Sequence, residues 1–314
     1  MQIYSDNYLG YSGAIPLPPY TVGGKSFPAH RQFVFWNKDE RALYDERALY
    51  IVTQADSAAN LFVSTAVAPL SPSAALQPSI TSVVNAATQQ PGRITPGEII
   101  TIYGTGLGPA SGASFTVDPV ANLVNFNLSG TQVYFAGQPG PVLYASATQV
   151  NAVVLDTLGS SGQAELQVAI QGILSSGGNL PAATAVPGIF TIDGSGAGRA
   201  VALNQDGTIC DARHPAATGS CVTIYFTEGG SRTPGGTTGS VTGSVLERLS
   251  QIASVTVGGQ PATVTFAGAA PYFVDGVGQL NIQLAPNTPT GPAQPVILTV
   301  GINSSPGTAT IAVR

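Results

Sequence analysis

The chain has 314 residues, a formal charge of −5 and a pI near 4.8. Only 9% of residues are charged, while Gly (38) and Pro (24) make up nearly a fifth of the sequence, a mixture that excludes a helical bundle. It has no basic cluster for a nucleic-acid backbone and, despite a mean hydropathy of +0.23, no run near the roughly 18 apolar residues of a membrane span. What remains is an all-β protein of short strands and tight turns.

Residues 1–77 differ in composition from the rest. Both lysines, Lys25 and Lys38, lie there, and the body that follows is lysine-free. Residues 1–6 lack a basic region and an apolar core, so no secretory leader is read in them and a mature or recombinant form is expected. The first thirty residues form an aromatic arm, without charge from Asn7 to Gly24, carrying Tyr4, Tyr8, Tyr11, Leu17 and Tyr20 and kept extended by Pro16, Pro18, Pro19 and Pro28. Strands are predicted over 32–36, 48–54 and 61–67, with a charged connection in which Asp-Glu-Arg-Ala-Leu-Tyr occurs twice in tandem, at 39–44 and 45–50. The arm has two available fates: adding a strand to its own sheet, or pairing with a sheet edge of another copy and building a filament.

Residues 78–185 and 186–314 read as two related β-sandwiches. Gly97-Glu98-Ile99-Ile100-Thr101-Ile102-Tyr103 matches Gly219-Ser220-Cys221-Val222-Thr223-Ile224-Tyr225 at an offset of 122. At the same offset, Val133 to Pro139 matches Val255 to Pro261, and Val142-Leu143-Tyr144-Ala145 matches Val264-Thr265-Phe266-Ala267. After an eight-residue insertion, Gln149-Val150-Asn151-Ala152 meets Gln279-Leu280-Asn281-Ile282 at an offset of 130. Period-two alternation and Gly-containing turns at short intervals identify each unit as a β-sandwich. Cys210 and Cys221 flank a short turning segment, and a disulfide between them is expected.

Several motifs carry a resemblance. Val83-Val84-Asn85-Ala86-Ala87, the run Pro96-Gly97-Glu98 through Gly108-Pro109, Gln149-Val150-Asn151-Ala152, Val186-Pro187-Gly188-Ile189-Phe190, Val257-Gly258-Gly259-Gln260-Pro261 and Gln279-Leu280-Asn281 recur together. Residues 80–314 resemble a C-terminal domain of unassigned activity found in secreted acidobacterial (Solibacter-type) proteins, and each half resembles more loosely an IPT/TIG-type immunoglobulin-like domain. The resemblance implies secretion and an immunoglobulin-like fold, and it brings no catalytic residues. Cys210, Cys221 and the stretch 226–230 depart from the pattern.

Reactive chemistry is sparse. His30 and His214 read as loop histidines, and Gly194-Ser195-Gly196 lacks the spacing of a nucleophile elbow. Gly104-Thr105-Gly106-Leu107-Gly108 reads as a bend after a strand rather than a nucleotide loop, since no helix follows. Asp193, Asp206 and Asp211 read as turn-capping acids, and the ten acids after residue 76 are spread singly, with no pair placed for acid–base work. Asn127 and Asn303 fit the glycan-acceptor pattern. No enzyme activity, cofactor or metal is expected. The expected role is a structural or adhesive protein at the cell surface or outside the cell, its partners further copies of itself. The alternative is a polysaccharide-binding module with Tyr272 and Phe273 as a sugar platform, although core packing is the ordinary fate of such a pair.

Overall fold

In the computed structural model the described residues comprise strand backbone between residues 8 and 64, and residues 77–227 and 229–314. Among them there is no helix. The chain forms two compact units, Met1–Ala75 and Leu76–Arg314.

In the first unit, strands Tyr8–Leu17, His30–Asn37, Tyr50–Ala55 and Leu61–Ser64 form an antiparallel sheet in that spatial order. The arm therefore pairs with its own chain: Ala14 faces Phe33 and Leu17 faces His30. Tyr20–Val22 and Lys25–Phe27 form a separate hairpin. Tyr8, Tyr11 and Leu17 lie in the first strand and Tyr20 in the hairpin, whereas Tyr4 and residues 39–49 of the repeated acidic-basic stretch lie outside the described residues.

The second unit contains two hydrophobic cores. One is built around Ile100, Ile102, Phe135, Val150 and Leu166, the other around Ile224, Phe226, Leu280, Ile282 and Leu298. In each, alternate strand positions enter the core, so Cys221–Thr227 buries Val222, Ile224 and Phe226 and turns Cys221, Thr223 and Tyr225 outward.

Strand register confirms the internal repeat pair by pair. Tyr103 faces Gln149 and Thr101 faces Asn151 in the first half; Tyr225 faces Gln279 and Thr223 faces Asn281 in the second. The hairpin partners Tyr134 and Pro139 correspond to Thr256 and Pro261. Even a register shift is duplicated, between Val142 and Tyr144 and between Val264 and Phe266.

One substitution changes the sheet architecture. In the first half Pro141 separates Gln138–Gly140 from Val142–Ala145, and those strands belong to two five-stranded sheets. Proline has no N–H to give a ladder. Thr263 stands at the matching place, and the strand runs unbroken over Gln260–Ala269, joining both layers of the second half into one twelve-stranded sheet.

The expected disulfide is not formed: Cys210 and Cys221 are both free. Alternation explains this. Cys221 is on the outward face of its strand, while Cys210 is buried in the core with its thiol donating to the Ala312 carbonyl at 3.4 Å. Closeness in sequence does not bring the two thiols together: one is inside the core and the other on the outside of its strand.

Candidate functional site

The eight extra residues of the second half lengthen the hairpin formed by Gln260–Ala269 and Val277–Gln283, whose connection runs over residues 270–276. The corresponding first-half strands, Val142–Ala145 and Gln149–Val153, are joined by three residues only. The insertion carries Tyr272 and Phe273 into solvent, 78% and 46% exposed, which corrects the expectation that the pair packs in the core. The Phe273 ring lies against Tyr225, with centroids 5.4 Å apart and planes tilted by 43°.

The exposed pair is held, not loose. Tyr272 N–H donates to the Thr242 carbonyl and Thr242 N–H donates to the Phe273 carbonyl, both at 2.9 Å. Val274 bridges Val241, and Asp275 N–H donates to the Ser240 carbonyl at 2.8 Å. Tyr272 has φ of +65°, a left-handed conformation that costs a non-glycine residue about 1–2 kcal/mol. Its own N–H bond and the ladder formed by the three residues that follow keep it there.

A buried charge cluster anchors the loop. Arg232 reaches both carboxylate oxygens of Asp156 at 3.1 Å, Glu247 at 2.7 Å, and Asp275. Asp156 belongs to the first sandwich, so the cluster also ties the two halves together. Thr238 completes it, its hydroxyl donating to Asp156 Oδ2 at 3.0 Å and accepting from the Asp156 N–H at 2.8 Å. Burial raises the Asp275 carboxyl well above the usual range; the Arg232 charge opposes that rise, and the charges of Asp156 and Glu247 add to it. Three of the acids that the sequence spreads singly thus converge on one guanidinium. No spacing signal links positions 156, 232, 247 and 275, which meet only because the sandwiches pack.

Other candidate residues are dispersed. Asp193, Asp206 and Asp211 each accept hydrogen bonds within their own turns, chiefly from the Ser195 N–H, the Thr208 hydroxyl and the His214 N–H, and these bonds hold all three carboxyls below their ordinary range. His214 is exposed, 3.3 Å from Asp211. Ser195 bonds to Asp193 and has no histidine partner among the described residues. Asn127 accepts from the Gly130 N–H at 2.9 Å in a surface turn. Two clefts, of about 410 Å³ beside Asn204, Asp206 and Arg314 and about 340 Å³ beside Asn85, Arg93 and Asn303, have no aromatic side chain in their linings. Among the described residues, the aromatic pair is the exposed feature with a built support.

No curated protein matches the chain in sequence. Among solved structures, the plexin A4 extracellular region (domains 1 to 8) is 14% identical with a TM-score of 0.26, aligning over 72% of this chain and 17% of that one. A surface glycan-binding protein from Prevotella bryantii is 9% identical with a TM-score of 0.24, over 72% of this chain and 40% of that one. This chain therefore spans less than half the length of either. Residues 78–183 match the IPT/TIG domain, and with the sheets described above the chain is an all-β protein of immunoglobulin-like repeats.

Proposed function

We propose that this is a non-catalytic extracellular binding protein whose second sandwich presents Tyr272 and Phe273 as a platform for polysaccharide. One observation carries the reading: two adjacent aromatic side chains stand in solvent on a loop fixed by backbone hydrogen bonds and a buried ion cluster. A preset aromatic surface suits the apolar C–H face of a sugar ring, because little freedom is lost on contact. The resemblance to secreted acidobacterial domains and the IPT/TIG match support the extracellular setting. The test is retention of the purified chain on insoluble polysaccharides. A Tyr272→Ala/Phe273→Ala variant should lose retention while keeping its unfolding midpoint; undiminished retention refutes the platform.

Self-association is a second reading, favoured by a separate observation. The ten-residue strand Tyr8–Leu17 lies at an edge of its sheet, and such a strand is a template for pairing between copies. Light scattering of the intact chain and of a chain lacking residues 1–30 decides it. A mass that falls on deletion supports filament or surface-layer assembly, and a monomer in both cases removes it.

A further inference from the structure

We infer that the polysaccharide is uncharged and that it runs from the aromatic pair along the outward face of two neighbouring strands, bounded by a third, an inference that rests on the platform reading above. Strands Cys221–Thr227, Val277–Gln283 and Gln260–Ala269 lie side by side. None contains Asp, Glu, Lys, Arg or His. On the first two strands the outward positions form rows of polar side chains, Tyr225 beside Gln279, Thr223 beside Asn281 and Cys221 beside Gln283, while on the third Thr263 stands beside Gln283 and the buried Phe266 beside Asn281. From Tyr225 to Cys221 the face is roughly 13 Å long at the rise of an extended strand. Phe273 caps its end by packing on Tyr225.

The amides are oriented by one another. Gln279 Nε2 donates to Asn281 Oδ1 at 2.9 Å, and the Thr223 hydroxyl donates to the same oxygen at 3.1 Å. Asn281 Oδ1 is thereby used, while Asn281 Nδ2 and Gln279 Oε1 bond to none of the described residues. A donor and an acceptor stand side by side on a partly exposed face, an arrangement that matches the hydroxyl groups of a sugar, each able to donate and to accept. A charged ligand would lose its hydration over these two strands without gaining a countercharge from them. The cation at its border is Arg248, whose guanidinium is stacked over the Phe266 ring beside Asn281, 4.9 Å from the centroid, and so is engaged with an aromatic face.

The first half shows what the same face looks like when it is closed. Gln149 Nε2 donates to Asn151 Oδ1, again at 2.9 Å. There, however, the Tyr103 hydroxyl donates to Gln89 at 2.9 Å, and Thr101 is buried where Thr223 is partly exposed. The repeat kept the amide pair in both copies, and only the second combines it with an uncapped tyrosine and an added aromatic residue.

Affinity electrophoresis of the full chain in gels containing hydroxyethylcellulose, which is neutral, or polygalacturonate, which is acidic, tests the inference. The neutral gel should retard the chain and the acidic gel should not. Gln279→Ala/Asn281→Ala should weaken retardation tenfold or more with an unchanged unfolding midpoint, and Gln149→Ala/Asn151→Ala should leave it intact. A bulky maleimide on the exposed Cys221 of the unmutated chain should weaken retardation as well, which covers the case of a misfolded variant. Equal retardation by the acidic gel, or full affinity after loss of Gln279 and Asn281, overturns this inference while leaving the platform standing. Full affinity after loss of Tyr272 and Phe273 overturns the platform instead, and no retardation in either gel overturns both.

Discussion

Ser305 does in the second half what Ser175 does in the first, 130 positions earlier. The Ser175 N–H donates to the Val168 carbonyl at 2.8 Å, and its hydroxyl accepts from the Val168 N–H at 3.0 Å. Ser305 makes both bonds to Leu298 at the same distances. In each case a side-chain oxygen satisfies a buried backbone donor. Ser175→Ala and Ser305→Ala should each cost about 1–3 kcal/mol, the range for stranding a buried polar group. Urea unfolding measures this, and an unchanged midpoint in both variants would deny the serines that role.

This serine pair also marks the limit of what sequence matching can find. The four matched blocks are legible because their strands share an alternation of buried and outward positions, and the observed register pairs the same residues. The serines follow hairpin turns that differ in composition, so no common run announces them. The Arg232 cluster is illegible for another reason: its members come from four separate segments, and packing alone brings them together. The exposure of Tyr272 and Phe273 was hidden because an insertion has no counterpart in the first half to set its face. The free cysteines are a different case. Val222, Ile224 and Phe226 already put Cys221 on the outward side, and strand alternation could have overruled the closeness of Cys210.

Thiol chemistry checks that alternation. In the native protein one thiol, Cys221, should react promptly with a small disulfide reagent, and Cys210 should react only on unfolding, because burial pushes its thiol up and blocks access. Adding a reductant should leave the unfolding midpoint where it was. Two unreactive thiols together with a midpoint lowered by reductant would restore the bridge.

Stability should fall as pH rises from about 5 to 8. Glu98 is wholly buried, with one carboxyl oxygen accepting from Asn85 Nδ2 at 2.8 Å and the other from the Thr95 N–H at 2.9 Å. Burial outweighs these two bonds and raises its carboxyl from 4.5 to about 8. The folded state therefore holds a proton that the unfolded chain releases, so this contribution is complete below pH 4.5 and is lost as pH climbs through 8. Asp275 shifts in the same direction and adds to the slope. Urea midpoints at pH 5 and pH 8 measure it, and Glu98→Gln should flatten the dependence. A midpoint that rises with pH would contradict the assignment.

Removing the guanidinium should be far worse than removing one of its carboxylates. Arg232→Met leaves Asp156, Glu247 and Asp275 facing one another with no cation between them, a loss in the range of about 3–5 kcal/mol for breaking a buried ion pair. Adding Asp275→Asn to that variant should recover part of the loss, since it relieves repulsion inside the cluster. Thermal unfolding of the two single variants and the double variant closes the cycle. Strict additivity would mean that the two groups do not sense each other.

The left-handed backbone at Tyr272 separates stability from binding in a single variant. Glycine adopts φ near +65° without the steric penalty a tyrosine meets, and Tyr272 is too exposed to contribute much burial in return. Tyr272→Gly should therefore leave the unfolding midpoint unchanged or raise it, the gain reaching about 1 kcal/mol. The same change removes half of the aromatic pair and should weaken retention on polysaccharide. A residue kept at a conformational cost, on an insertion the sister repeat lacks, is better explained by contact with a partner than by support of the fold. If Tyr272→Gly destabilises the protein and leaves retention intact, the tyrosine is a structural residue and the platform must lie elsewhere.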